Sequence, residues 1–281
     1  MSVQNYYLPE SLGEALELLA RYGPDLLVIA GGTVAMPLIN EGVSTPVQVM
    51  GLRRTGLDEM ARSNGNVKIG ATTTLTRLLE ESPVPLLRTA ARNTAAWTIR
   101  NMGTVGGNLF SPPPAGDVAV ALLALDAEVT LTGSGGERVV PLARFWTGFM
   151  TNVMQADELV TAITLPVPTG KTAYIKYGRK QAHTPAVVTV AAHLVVEGGR
   201  VQQARLALGA VGPHPLRCPQ AEAVLTGSEL SEDAITEAAQ TAAGECDPFT
   251  DAIASEWYRR KMVPVYVARA LRQIAQEEAA S

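Results

Sequence analysis

The residues best placed for chemistry are two glycine turns far apart in the chain, Val28-Ile29-Ala30-Gly31-Gly32-Thr33 and Gly103-Thr104-Val105-Gly106-Gly107-Asn108. Paired glycines let a backbone approach a ligand with no Cβ in the way, and successive free N–H groups make a concavity for anions. Thr33 and Thr104 add hydroxyls, and Asn108 adds two donors and an acceptor. A helix starting after the first turn would contribute about 0.3–1 kcal/mol toward an exposed anion. Two such turns converging on one ligand point to a doubly phosphorylated molecule, and a dinucleotide cofactor is the leading expectation. Neither turn has the spacing G-x-G-x-x-G or G-x-x-x-x-G-K-[ST], so neither a Rossmann domain nor a P-loop is expected. Taken alone, the first also fits a plain strand-to-helix connection.

Asp117 follows the second turn, past the run Pro112-Pro113-Pro114. A carboxylate there suits ribose hydroxyls or an adenine amine, and suits a helix N-cap equally well. Other chemistry is sparse. Cys218 and Cys246 are too few for a four-cysteine iron–sulfur site and make a structural zinc site improbable. Three histidines restrict metal and acid–base constellations. The run Tyr258-Arg259-Arg260-Lys261 reads as a solvated helix face or a subunit contact.

The elements that must position these groups follow from composition and periodicity. The 281 residues are 47% hydrophobic and 18% charged, enough for a large core and more than one domain. A net charge of −4 without a basic cluster argues against nucleic acid and anionic membranes as partners. No apolar stretch reaches the ~18 residues of a membrane span. The segment Met1 to Glu10 lacks a signal-peptide pattern, so a soluble, reducing, cytoplasmic setting is expected.

Ser11 to Tyr22 reads as an amphipathic helix stopped by Gly23-Pro24, and Leu26 to Ala30 as a buried strand. Thr33 to Asn40 reads as a short helix if Pro37 lies in its first turn. Strands are expected at Val47 to Met50 and Val67 to Gly70, and helices at Thr74 to Glu80, Pro83 to Ala96 and Val118 to Leu125. A hairpin spans Glu128 to Pro141 around Gly133-Ser134-Gly135-Gly136, and Ile163 to Pro166 closes this part. Pro166-Val167-Pro168-Thr169-Gly170 is the linker candidate. Strands at Thr172 to Tyr177, Val187 to Val196 and Val201 to Gly209 follow, the last two joined by Gly198-Gly199. The tail is helical at Ala221 to Leu225, Glu232 to Ala243 and Ser255 to Ala279, with Pro264 kinking or splitting the last helix.

Six landmarks in order carry a resemblance over nearly the whole chain. They are AGGT at Ala30 to Thr33, IGATTTL at Ile69 to Leu75, and RNMGTVGGNLFSPPPAGD at Arg100 to Asp117. ELVTAITLP at Glu158 to Pro166, YIKYGRKQAHTPAVVTVAAHL at Tyr174 to Leu194, and ASEWYRRKMVPVYVARAL at Ala254 to Leu271 complete the set. Together they resemble the FAD-binding medium, or flavoprotein, subunit of the molybdenum hydroxylases, the carbon monoxide and xanthine dehydrogenase family.

The resemblance implies an α+β fold. A two-subdomain FAD-binding part of the vanillyl-alcohol-oxidase type would span residues 1–168, divided near 1–55 and 56–168. A C-terminal α+β domain with a small antiparallel sheet and helices would span 169–281. By position, Ile29, Ala30, Gly31, Gly32, Thr33 and Val34 would wrap the FAD pyrophosphate. Thr104, Gly107 and Asn108 would hold its phosphate and ribitol side, and Asp117 its adenosine ribose. Lys176 would stand near the flavin pyrimidine edge, although a solvated strand lysine is the plainer reading. Val153, or its neighbour Met154, would lie against the isoalloxazine. No catalytic residue and no metal ligand is implied on this chain.

The chain departs from the family at Val34, where a polar residue is usual, and at Gln181-Ala182-His183-Thr184-Pro185, where charge is usual. His183 reads as a proton-tuning group beside the flavin or as a loop histidine bonded to backbone. The function implied is an oxidoreductase subunit that relays electrons through FAD. A large subunit would carry the molybdopterin cofactor and a small one the [2Fe–2S] clusters, assembled as a dimer of heterotrimers. The rivals are a stand-alone flavin oxidase or dehydrogenase of the same fold, and a scaffold that has lost FAD.

Overall fold

The computed structural model describes residues 3–180 and 184–279. His183, weighed above, and its neighbours Gln181 and Ala182 lie outside the described residues.

The first part of the chain runs β1 (Asn5–Tyr7), α1 (Leu12–Tyr22), β2 (Leu26–Ile29), α2 (Ala35–Asn40) and β3 (Gln48–Gly51), with the strands parallel in the order β1-β3-β2. α1 starts where Ser11 accepts a hydrogen bond from the Glu14 amide (3.2 Å) and ends at Gly23, whose φ of 53° suits glycine. Its Ala15 and Leu19 bury against Leu26, Met50 and Leu52. Pro37 does fall in the first turn of α2, where a missing N–H breaks no helical bond.

The middle part begins with β4 (Met60–Ser63) and β5 (Asn66–Gly70), followed by five helices: α3 (Leu75–Glu81), α4 (Pro85–Asn93), α5 (Trp97–Arg100), α6 (Val105–Asn108) and α7 (Asp117–Ala124). β6 (Glu128–Gly133), β7 (Gly136–Pro141), the short pair β8 (Trp146–Gly148) and β9 (Thr151–Asn152), and β10 (Leu159–Pro166) complete it. A five-stranded antiparallel sheet has the order β4-β5-β10-β6-β7.

The last part pairs β11 (Lys171–Gly178), β12 (Ala186–Glu197), β13 (Arg200–Gly209) and β14 (Leu216–Arg217) as an antiparallel sheet in that order. Three helices, α8 (Pro219–Leu225), α9 (Glu232–Gly244) and α10 (Glu256–Ala279), follow and share its core. α7 joins the middle and last parts. All eight of its residues are buried, and it packs on α4 as well as on β12 and β13. The approach is close at Gly209, where a Cβ would run into Val120.

Three expectations need correction. The second glycine turn contains a helix not expected from the sequence: Val105–Asn108 forms one helical turn, α6, and Thr104 caps it by accepting from the Gly107 amide at 3.1 Å. Pro264 does not split the last helix, which runs unbroken through it. Burial of Val263, Val267, Ala270, Leu271 and Ile274 outweighs a proline cost of about 3 kcal/mol. The basic run at 258–261 is not wholly a solvated face, since Arg259 is fully buried. Its guanidinium donates to the carbonyls of Ala186 (3.0 Å), Val187 (2.9 Å) and Ala210 (2.9 Å) and to Asp251 Oδ1 (2.8 Å). It also lies 4.8 Å from the Phe249 ring centroid. It thereby ties α10 to the start of β12 and to the residue just after β13.

Replacing Arg259 with alanine leaves three buried carbonyls without this donor, while Asp251 keeps the Ile253 and Ala254 amides, and is expected to cost about 3 kcal/mol. Arg260→Ala, at an exposed pair with Glu256, is expected to cost no more than about 1 kcal/mol. Urea unfolding of both variants checks the contrast.

Candidate functional site

The two glycine turns meet. A Cβ built on Gly31 would overlap the Met102 carbonyl oxygen and stand 2.9 Å from the Gly103 Cα. A Cβ on Gly103 would stand 3.5 Å from Thr33 Oγ1. Gly106 backs onto the end of β5 in the same manner, 2.8 Å from the Ala71 carbonyl oxygen to a built Cβ. The amide of Gly106 also donates to that carbonyl. Gly32 holds φ at 71°, which turns the chain out of β2 toward α2. The amides of Gly32, Thr33 and Val34 donate no hydrogen bond among the described residues, so they remain available at the turn.

Around this contact lies a cavity of about 630 Å³, within the range of small-molecule sites. Ile29, Ala30, Gly31, Gly32, Thr33 and Val34 line it from the first turn, Thr104, Gly107 and Asn108 from the second, Asp117 from α7 and Lys176 from β11. Of the neighbours Val153 and Met154, it is Met154 that lines the cavity, while Val153 packs on the core of the middle part. Phe110, Thr72 and Glu158 also line it and were not singled out from the sequence. All three stand inside the landmark motifs, Thr72 in IGATTTL, Phe110 in RNMGTVGGNLFSPPPAGD and Glu158 in ELVTAITLP, so the signal was present without a role attached.

Asn108 is half committed. Its Oδ1 accepts from the Ala119 amide at 2.9 Å, which fixes α6 to α7 and leaves the side-chain NH₂ without a partner among the described residues. Asp117 is the first residue of α7 but not its cap. Gly116 occupies that position with φ of 90°, and no side chain caps the helix. The Asp117 carboxylate turns instead to the last sheet: Oδ2 accepts from Lys176 Nζ at 2.7 Å and Oδ1 from the Thr189 hydroxyl at 3.2 Å. Lys176 and Thr189 are directly opposite on β11 and β12, so one cross-strand pair grips both oxygens. Tyr174 donates to the Asp117 carbonyl at 3.1 Å, and Lys176 donates a second bond to the Asn93 carbonyl at 3.1 Å.

Lys176 is therefore a buried ion-pair member, 9% exposed in its side chain against 6% for Asp117, and not a solvated strand lysine. Burial pushes the Asp117 carboxyl upward, and the adjacent ammonium pulls against it. Glu158, the other acid at the cavity, is bound bidentately by Arg138 (2.6 and 2.7 Å), which holds its carboxyl below the usual range. Every ionisable side chain lining the cavity among the described residues is thus paired inside the protein. Among the described residues no group of His, Cys, Asp or Glu is arranged to hold a metal ion, and Cys218 and Cys246 are both buried.

Residues 1–168 match the family model for the FAD binding domain in molybdopterin dehydrogenase, and residues 173–274 that for the CO dehydrogenase flavoprotein C-terminal domain. The glyceraldehyde dehydrogenase medium chain of Sulfolobus acidocaldarius is 33% identical, covering 96% of this chain and 98% of its own. The carbon monoxide dehydrogenase medium chain of Afipia carboxidovorans is 33% identical over 96% of both. The solved carbon monoxide dehydrogenase of Hydrogenophaga pseudoflava that lacks the Mo-pyranopterin moiety superposes with a TM-score of 0.93, at 30% identity and 98% coverage of both chains. With family models over both of its parts and relatives matched end to end, the chain belongs to the FAD-binding medium subunits of the molybdenum hydroxylases, the carbon monoxide and xanthine dehydrogenase family, and is an oxidoreductase subunit.

Proposed function

We propose that this chain holds FAD across the cavity and relays electrons from the [2Fe–2S] clusters of a small partner subunit to an external acceptor. The observation that carries the reading is the backbone contact of Gly31 with Met102 and Gly103, which brings both glycine turns to one cavity. The residues fit the cofactor. A Cβ at Gly31 would drive the two turns apart, and free amides at Gly32 to Val34 stand ready for the diphosphate. Because the acids and the lysine at the cavity are already paired, the diphosphate charge would be met by neutral donors: backbone N–H, the Thr33 hydroxyl and the Asn108 NH₂. Bound FAD supplies the redox chemistry.

In this reading Ile29 to Val34 wrap the pyrophosphate, and Thr104, Gly107 and Asn108 hold it from α6. Asp117 and Lys176 form one ion pair and so meet the cofactor at a single place, not at the adenosine ribose and the flavin ring separately as the resemblance implied, and Met154 rather than Val153 makes the apolar contact. Residues 1–168 act as the FAD-binding domain, in subdomains near 1–55 and 56–168, and 169–281 as the C-terminal flavoprotein domain. Substrate chemistry belongs to a large molybdopterin subunit, and the complex is a cytoplasmic dimer of heterotrimers. The pairing of Asp117, Glu158 and Lys176 weighs against a stand-alone oxidase, which needs a free acid or base at its substrate.

Three outcomes are expected. Gly31→Ala forces the turns apart and lowers FAD retention by about a hundredfold, while Gly244→Ala, with open space around its Cα, leaves it unchanged; flavin absorbance after gel filtration decides. Lys176→Met strands a buried carboxylate at about 3–5 kcal/mol, and Asp117→Asn/Lys176→Met regains part of that loss, as read by urea unfolding in excess FAD. Native purification brings down flavin, iron–sulfur and molybdopterin chains together, seen in one absorbance spectrum and the identities of the co-purifying chains.

A further inference from the structure

One stretch of cavity wall is held by a side chain that never reaches the cavity. The segment from Val153 to Glu158 crosses the wall, with Met154 and Glu158 lining it. No residue of the β6–β7 hairpin lines the cavity, yet this hairpin grips the segment at both ends. On β7, Arg138 donates through Nη2 to the Val153 carbonyl at 2.9 Å. The same guanidinium reaches both oxygens of Glu158, Nε to Oε1 at 2.6 Å and Nη2 to Oε2 at 2.7 Å. Glu158 closes the loop on itself by accepting from the Gln155 amide at 2.7 Å. At the hairpin tip, Asp157 accepts from the Ser134 hydroxyl and amide, and the Met154 amide is held by Asn152 Oδ1 at 2.9 Å.

We infer that Arg138 is a positioning residue for the flavin: by bracing Val153 and Glu158 together it sets where Met154 meets the bound ring system. A planar fork with several donors is needed for this, because one group must bond a carbonyl and a bidentate carboxylate at once. The guanidinium is 39% exposed while Glu158 is 7% exposed, so the outer partner is anchored by a buried one. Its loss leaves a buried carboxylate with only the Gln155 amide, and the shape of the wall changes with it. The inference rests on the FAD reading above.

The test uses the full chain with added FAD and three readouts: FAD affinity by flavin fluorescence, the visible spectrum of the bound flavin, and its reduction potential. Arg138→Met is expected to weaken FAD about tenfold and to shift both spectrum and potential. Melting of the FAD-free chain is expected to fall too, because Glu158 loses its partner, so the spectrum and potential, which a purely structural loss would leave alone once FAD is bound, decide. Arg138→Lys is expected to reproduce the loss, since an ammonium cannot brace both ends. An unchanged spectrum and affinity in Arg138→Met overturns the inference, as does full recovery in Arg138→Lys. If Gly31→Ala retains FAD as well, the cavity reading fails and this inference with it; loss in Gly31→Ala alone leaves the cavity standing and removes only Arg138.

Discussion

The arrangement depends on one close approach, the backbone of Gly31 against the backbone of Met102 and Gly103. Two turns from distant parts of the chain can come this close only if no side chain stands at the point of contact. The parallel sheet delivers Gly31 from the end of β2, while the amides of α6 are already bonded to Thr73, Ala71 and Thr104, so the helical turn offers the Asn108 NH₂ instead. Thr104 spends its hydroxyl on capping α6, and Asn108 spends its carbonyl oxygen on α7. These internal bonds fix the turn before any ligand arrives, which is how a site built from backbone can be rigid.

A second constraint links that site to the last sheet. α7 carries Asp117 at its first position, and the cross-strand pair Lys176 and Thr189 closes on both carboxylate oxygens. Such a pair gains little net stability over apolar packing, but losing either partner is costly, so it enforces register between α7 and β11–β12. Tyr174 adds a bond to the backbone at the same residue. The cavity wall contributed by Lys176 is therefore located by the same atoms that locate the helix.

Much of this was legible in the sequence where a local rule acts alone. The caps at Ser11 and Thr74, the Gly198-Gly199 hairpin and the apolar strands of the last sheet all follow short-range chemistry. The edge strands β1 and β4 escaped notice because they are short and mostly exposed, with no alternation to read. Arg259 read as a surface charge because its acceptors are distant carbonyls that only the folded topology gathers. Asp117 looked like a helix cap for the same reason: Lys176 is far along the chain, and only sheet pairing brings Thr189 beside it. Val153 and Met154 differ by one residue, and pattern alone carries no information about which of two apolar neighbours faces inward.

α7 has a consequence for biosynthesis. Its eight residues, Asp117 to Ala124, are apolar except the first and are covered on every side, yet β12 and β13, which cover one of those sides, are encoded much later in the chain. While the nascent polypeptide is still emerging, that flank stays bare and sticky until the later strands leave the ribosome. A chain truncated before β12 would therefore expose the seam at the centre of the finished molecule, making incomplete synthesis a direct route to aggregation.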